Sequence, residues 1–161
     1  MTAALDLVLR HNAWANRYLI EFCARLDAGA LERATPGTYG TLSATLQHIV
    51  SAEQGYIETL GGEMIGAPVE ETVPRPMDEL LVIVTGTGQR AIELASRDDA
   101  AREITFDGRR WSAGVVYAQI VHHGNEHRAQ VKSILGANGI EPPGVSAWGY
   151  AMDAGLVRSG S

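Results

Sequence analysis

Apolar residues recur at three- and four-residue steps in four long stretches of the chain, the spacing of one helical face turned toward a core. Leu5, Val8, Leu9, Leu19, Cys23 and Leu26 predict a helix from about Ala3 to Leu26. A second is predicted by Leu42, Leu46, Ile49, Val50, Ile57 and Leu60, and Gly61-Gly62 stops it. A third begins near Pro76, with Asp78 and Glu79 at the positive end of its dipole, and presents Met77, Leu80, Leu81, Val84, Ala91 and Leu94. Gly86 and Gly88 weaken it. The fourth spans about Ser112 to Ala137, where Asn138-Gly139 and then Pro142-Pro143 end it. A last helical turn covers Trp148 to Ala154.

The connections are equally legible. Residues 61–76 contain three glycines and three prolines, too many for regular structure, yet the stretch is short for an interdomain linker. It reads as a crossover within one domain. Ile104 to Trp111 carries an Asp107-Gly108 turn between bulky residues, the signature of a short hairpin that must lean on the helices. The expected fold class is therefore all-α: a four-helix bundle with a long crossover between helices 2 and 3 and a short hairpin before helix 4. Residues 1–157 form the expected domain, and 158–161 read as an expression remnant or disordered tail.

Polar residues interrupt the apolar stripes at a few positions. Asn12 and Asn16 lie one turn apart on the inward face of the first helix, where they either bond neighbouring groups or line a pocket. Glu53 sits within the stripe of the second helix and is expected to pair internally, as a structural acid or as a partner that orients a metal ligand. On the fourth helix, Val116, Ile120, His123, His127, Val131 and Ile134 form one continuous stripe, so both imidazoles face inward. A buried imidazole nitrogen without a partner costs about 1 to 3 kcal/mol, and a shared metal ion would satisfy both rings. The same spacing also occurs in helices that bind nothing. His122 shares a face with Ala118, Asn125 and Glu126 and should be solvated, and His11, near Trp14 and Tyr18, reads as a surface or packing residue. Periodicity places His48 opposite the apolar stripe of its helix, among the small residues Ala44, Ser51, Ala52 and Gly55, and does not by itself make it a ligand.

Composition narrows the function classes. The chain has 161 residues, of which 45% are hydrophobic and 20% charged, an ordinary globular balance. Its net charge of -6 offers no general attraction to phosphate backbones or anionic lipid, which argues against nucleic acid as a partner. No apolar run approaches the ~20 residues of a membrane-spanning helix. A lone cysteine, Cys23, and the lack of a leader-like segment suit a cytoplasmic location.

Three segments then resemble one family. His11-Asn12-Ala13-Trp14-Ala15-Asn16 is similar to the first-helix signature of the DinB family, also called the DinB/YfiT-like metalloenzyme superfamily. Thr45-Leu46-Gln47-His48-Ile49 resembles its second-helix histidine motif, and Val121 through Gln130 its fourth-helix motif. The resemblance covers nearly the whole chain and implies a divalent ion, zinc or nickel, held by His48, His123 and His127. It also implies a homodimer. One departure is Glu126, which stands where many relatives carry a second histidine.

Three neutral nitrogen ligands leave a zinc-like ion with an open position for water or a thiolate, the arrangement of catalytic sites. The family resemblance makes thiol transfer or thiol-dependent isomerisation of a small molecule the leading reaction, with a low-molecular-weight thiol as the expected partner. Metal-dependent hydrolysis is one alternative, and a non-catalytic site that ties helices together for partner binding is another. No catalytic side chain is evident apart from Glu126. It completes a His-x-x-Glu-His string at His123 to His127, as in inverted zinc peptidases, but only Glu141 and Asp153 remain downstream to complete such a site. Cys23 reads as core.

Overall fold

The computed structural model describes residues 2–158. Four long helices dominate it: α1 (Ala3–Cys23), α3 (Leu42–Thr59), α4 (Met77–Arg97) and α5 (Ala113–Ala137). Two short helices, α2 (Ala28–Leu31) and α6 (Ala147–Asp153), and an antiparallel hairpin of β1 (Glu103–Phe106) and β2 (Arg109–Ser112) complete it. Helix α1 packs on α4 and α5, and α3 packs on α5 and α4, which closes a four-helix bundle. Among the described residues, no helix is long and apolar enough to cross a membrane.

The helices start and stop for local reasons. Thr2 and Thr41 accept hydrogen bonds from the backbone N–H groups of Leu5 and Ala44, capping α1 and α3. Helix α1 ends at Cys23, short of the expected Leu26, because Asp27 adopts an extended backbone and caps α2 through Ala30 N–H. The periodic pattern hides this short second helix. Val8, expected in the core, is exposed. The hairpin turns on Asp107 and Gly108, both with positive φ, and pairs Ile104 with Trp111. Gly86 and Gly88 do more than weaken α4. A Cβ on Gly86 would meet Ile65 Cγ2 at 2.5 Å and one on Gly88 would meet Ala13 Cβ at 2.6 Å, so both glycines admit a neighbouring segment.

The crossover between α3 and α4 is irregular but tied down along one polar strip of α3. Gln47 donates to the carbonyls of Glu70 and Val73 and accepts from Arg75 N–H, while Gln54 donates to those of Ile65 and Ala67 and accepts from Val69 N–H. Ser51 donates to Val69 O at 2.7 Å. Gln47 and Gln54 are themselves buried, so leaving either amide unpaired would cost about 1 to 3 kcal/mol. This segment therefore has a fixed path.

The apolar core falls into two clusters. One gathers Leu19, Leu46, Val84 and Ile134, and the other Leu9, Ile57, Tyr117 and Ile120. Between them lies a polar layer contributed by all four long helices: Asn12 and Asn16, Glu53, Thr87, and Arg128. Asn12 and Asn16 donate to Glu53 Oε1 at 3.1 and 2.7 Å, and their own carbonyl oxygens accept from Arg128 Nη1 at 2.7 and 2.5 Å. Thr87 donates to Glu53 Oε2 at 2.8 Å. Each amide thus stands between a carboxylate and a guanidinium. Burial pushes the Glu53 carboxyl up, against the donors from Thr87 and the asparagines and the charge of Arg128. Burial likewise lowers Arg128 to about 10, which leaves it charged at neutral pH.

Removing one side of this layer strands the other. Arg128→Met should cost about 3–5 kcal/mol, read from the urea midpoint, because Glu53 becomes an uncompensated buried charge. Adding Glu53→Gln should recover part of the loss, whereas strictly additive effects in the double variant would show that the two groups are not coupled.

Candidate metal centre

His48 lies mid-way along α3, and His123 and His127 lie one turn apart on α5. The two helices pack together, and the three imidazoles meet on their shared flank. One ring nitrogen from each residue falls within 4.8 Å of the other two, and His48 Nε2 is 3.0 Å from His123 Nε2. The ring centroids are 4.4 to 4.9 Å apart. His123 and His127 are buried as their apolar stripe requires, and His48, placed by periodicity on an exposed side, is half-buried, with the Tyr39 ring stacked on it and Glu71 of the crossover bonded to it.

Groups around the rings set which nitrogen is free. His48 Nδ1 is 2.6 Å from Glu71 Oε1, and His127 Nδ1 is 3.1 Å from Gln130 Oε1. Gln130 Oε1 also accepts from Tyr39 N–H at 2.9 Å, which fixes the amide orientation. Both oxygens only accept, so each Nδ1 carries the hydrogen and each Nε2 keeps a lone pair for a ligand role. Tyr39 completes the surround. Its ring stacks on His48 at 4.0 Å, and its hydroxyl donates to Glu71 Oε2 at 2.5 Å. Hydrogen bonds from Tyr39 and His48 hold the Glu71 carboxyl below the usual carboxylate range, and the bond to Glu71 raises the Tyr39 hydroxyl.

Electrostatics favour the neutral rings that metals bind. Burial lowers His123 to about 4, with the neighbouring imidazoles adding to the effect, and burial lowers His127 as well. Three imidazole nitrogens within 4.8 Å of one another fit a borderline divalent cation such as zinc or nickel. Hard cations such as magnesium and calcium prefer oxygen donors.

Other residues singled out by the sequence lie elsewhere. Glu126 is exposed, with His122 Nε2 3.6 Å from its carboxylate. His122 is solvated, as its helical face requires. Asn12, Asn16 and Glu53 belong to the polar layer, and none of their hydrogen bonds reaches an imidazole. Glu53 therefore accepts from two asparagines and Thr87, and no hydrogen bond joins it to an imidazole. His11 packs against Trp14 and meets Val145 O at 2.9 Å, anchoring the chain that leads into α6. Of the residues that sequence reasoning missed, Tyr39 and Glu71 lie in connections with no periodicity to reveal them. Gln130 offered a faint signal, three residues beyond His127 on the same helix.

Comparison with known proteins agrees with this architecture. The model of the DinB family matches residues 1–154. A DinB-like protein from Bacillus cereus ATCC 10987, known from its crystal structure, superposes with a TM-score of 0.69 over 84% of this chain and 91% of that chain. At 18% identity that likeness is one of fold. No curated protein matches the sequence.

His123→Ala and His127→Ala should each abolish most zinc binding in a chelator competition, while His122→Ala leaves it unchanged. Equal loss in all three would contradict the face assignment. Glu71→Ala and Gln130→Ala should weaken zinc binding by about 10–100-fold through loss of ring orientation. A second expectation concerns pH without metal. His123 is held at about 4 in the fold against 6.5 as a free side chain, so between these values the unfolded chain takes up a proton that the folded chain refuses. Stability should therefore fall as pH drops from 6.5 toward 4, and the slope should be shallower in His123→Gln. Equal slopes in denaturation series would exclude this contribution.

Proposed function

The chain belongs to the DinB family, and from that premise we propose that it is a metal-dependent enzyme acting on a small molecule, with transfer of a low-molecular-weight thiol, or thiol-dependent isomerisation, as its reaction. The observation that carries the reading is the convergence of three imidazole nitrogens within 4.8 Å on two helices. His48, His123 and His127 would hold the ion, with zinc and nickel the cations best suited to them. When bound, it would supply Lewis acidity that lowers the pKa of a thiol or water brought to its open position.

The chain's own residues do the rest. Glu71 and Gln130 hold two of the rings in the tautomer that presents Nε2, so that little reorganisation is needed on binding. The stacked Tyr39 restrains His48. Cys23 cannot serve as the thiol, because it is fully buried and burial pushes its pKa up to about 12. A thiol reaction at this site therefore draws its sulfur from a second small molecule.

The cobalt-substituted protein tests this directly. Added mercaptoethanol should produce a sulfur-to-metal charge-transfer band and shift the visible d–d bands. An unchanged spectrum with a fully loaded site overturns the thiol reading.

A further inference from the structure

An open groove of about 460 Å³ lies beside the histidine cluster, between the hairpin and the α3–α5 pair. Its lining has a direction. Tyr56, Thr59 and Gln119 bring hydroxyl and amide groups to the helical side, while Phe106, Trp111 and Val115 form an apolar end. Resting on the reading of the histidines as a reactive centre, we infer that this groove seats the flat apolar part of a small substrate whose polar, reactive end reaches the histidines.

Geometry links the groove to the cluster on both helices. Tyr56 lines the groove and also sets its ring edge-on to His123, with centroids 5.7 Å apart. Gln119 precedes His123 by one turn of α5, about 6 Å, and its amide donates to the Tyr56 hydroxyl at 3.3 Å. On α3, His48, Ala52 and Tyr56 follow one another at single-turn steps, and a Cβ on the adjacent Gly55 would meet nothing within 4 Å. The groove is thus continuous with the flank that carries the imidazoles.

The hairpin supplies the apolar end by strand alternation. Ile104 and Phe106 share a face, and Trp111 stands directly opposite Ile104. Ile104 is buried against the helices, which anchors that face. Phe106, Trp111 and Val115 nevertheless remain 56%, 37% and 48% exposed. The Trp111 N–H is already used on Phe106 O at 3.2 Å, so what the indole offers a ligand is its apolar ring. Such a wall selects flat hydrocarbon.

The test uses the full chain with zinc present. Benzyl alcohol, which carries the ring without a thiol, should shift the NMR signals of the Trp111 indole N–H and the Val115 methyls. Benzyl mercaptan should bind at least about tenfold more tightly than mercaptoethanol, a thiol of similar acidity that lacks the ring. Val115→Glu, which places an acid in the first turn of α5 where the helix tolerates it, should erase that preference and leave zinc affinity unchanged. Equal binding of the two thiols, a preference that survives Val115→Glu, or silent Trp111 and Val115 signals would overturn the inference. So would a concentration-dependent doubling of mass that buries those signals, since a second copy would then cover the groove. Failure of zinc to bind while benzyl alcohol still shifts Trp111 would count against the metal reading alone and support the groove.

Discussion

Glu53 is a carboxylate buried in the middle of a helical bundle, and withdrawing such a charge from water is costly unless donors and an opposite charge replace the solvent. The fold meets that demand by drawing one polar group or more from each long helix to the same level. Asn12 and Asn16 transmit the interaction, because their amides donate to Glu53 on one side and accept from Arg128 on the other. This arrangement restricts how the helices can slide or rotate. A register shift on any of them would leave a charge or an amide unpaired, whereas the two apolar clusters on either side would tolerate small shifts. Packing supplies cohesion, and the polar layer supplies the register.

That register places the imidazoles. Arg128 follows His127 directly on α5, and Glu53 lies five residues beyond His48 on α3, so fixing the layer also fixes the relative height of the two helices at the histidines. Gly124 belongs to the same arrangement, since a Cβ there would lie 2.7 Å from Arg128 Nη1. The crossover is positioned by a separate set of bonds from Gln47, Ser51 and Gln54, and its path brings Glu71 to His48. Structure and chemistry thus occupy opposite flanks of α3. One flank stabilises the bundle, and the other carries the centre.

The centre itself is poised by burial. Burial lowers His123 and His127, and acceptors at Nδ1 of His48 and His127 orient those two rings. A buried ionic layer and a tied-down crossover together hold three imidazoles close enough to bind a metal ion.

Much of this was readable from residue order. Three- and four-residue spacing identified the four long helices, the inward face of His123 and His127 and the solvated face of His122, because a helix imposes its period on the sequence that forms it. The family motifs pointed to His48, which periodicity alone left on the wrong side. Tyr39, Glu71 and the short helix α2 escaped because connections have no period, and Val8 was misjudged because a stripe does not say which neighbour covers it. The tertiary structure decided that Asn12 and Asn16 bridge Glu53 and Arg128 and do not bond an imidazole. It also decided that Tyr39 and Glu71, from two different connections, flank His48. Both outcomes depend on contacts between segments far apart in the chain, and those contacts are set by packing and by the satisfaction of buried polar groups, neither of which leaves a local signature.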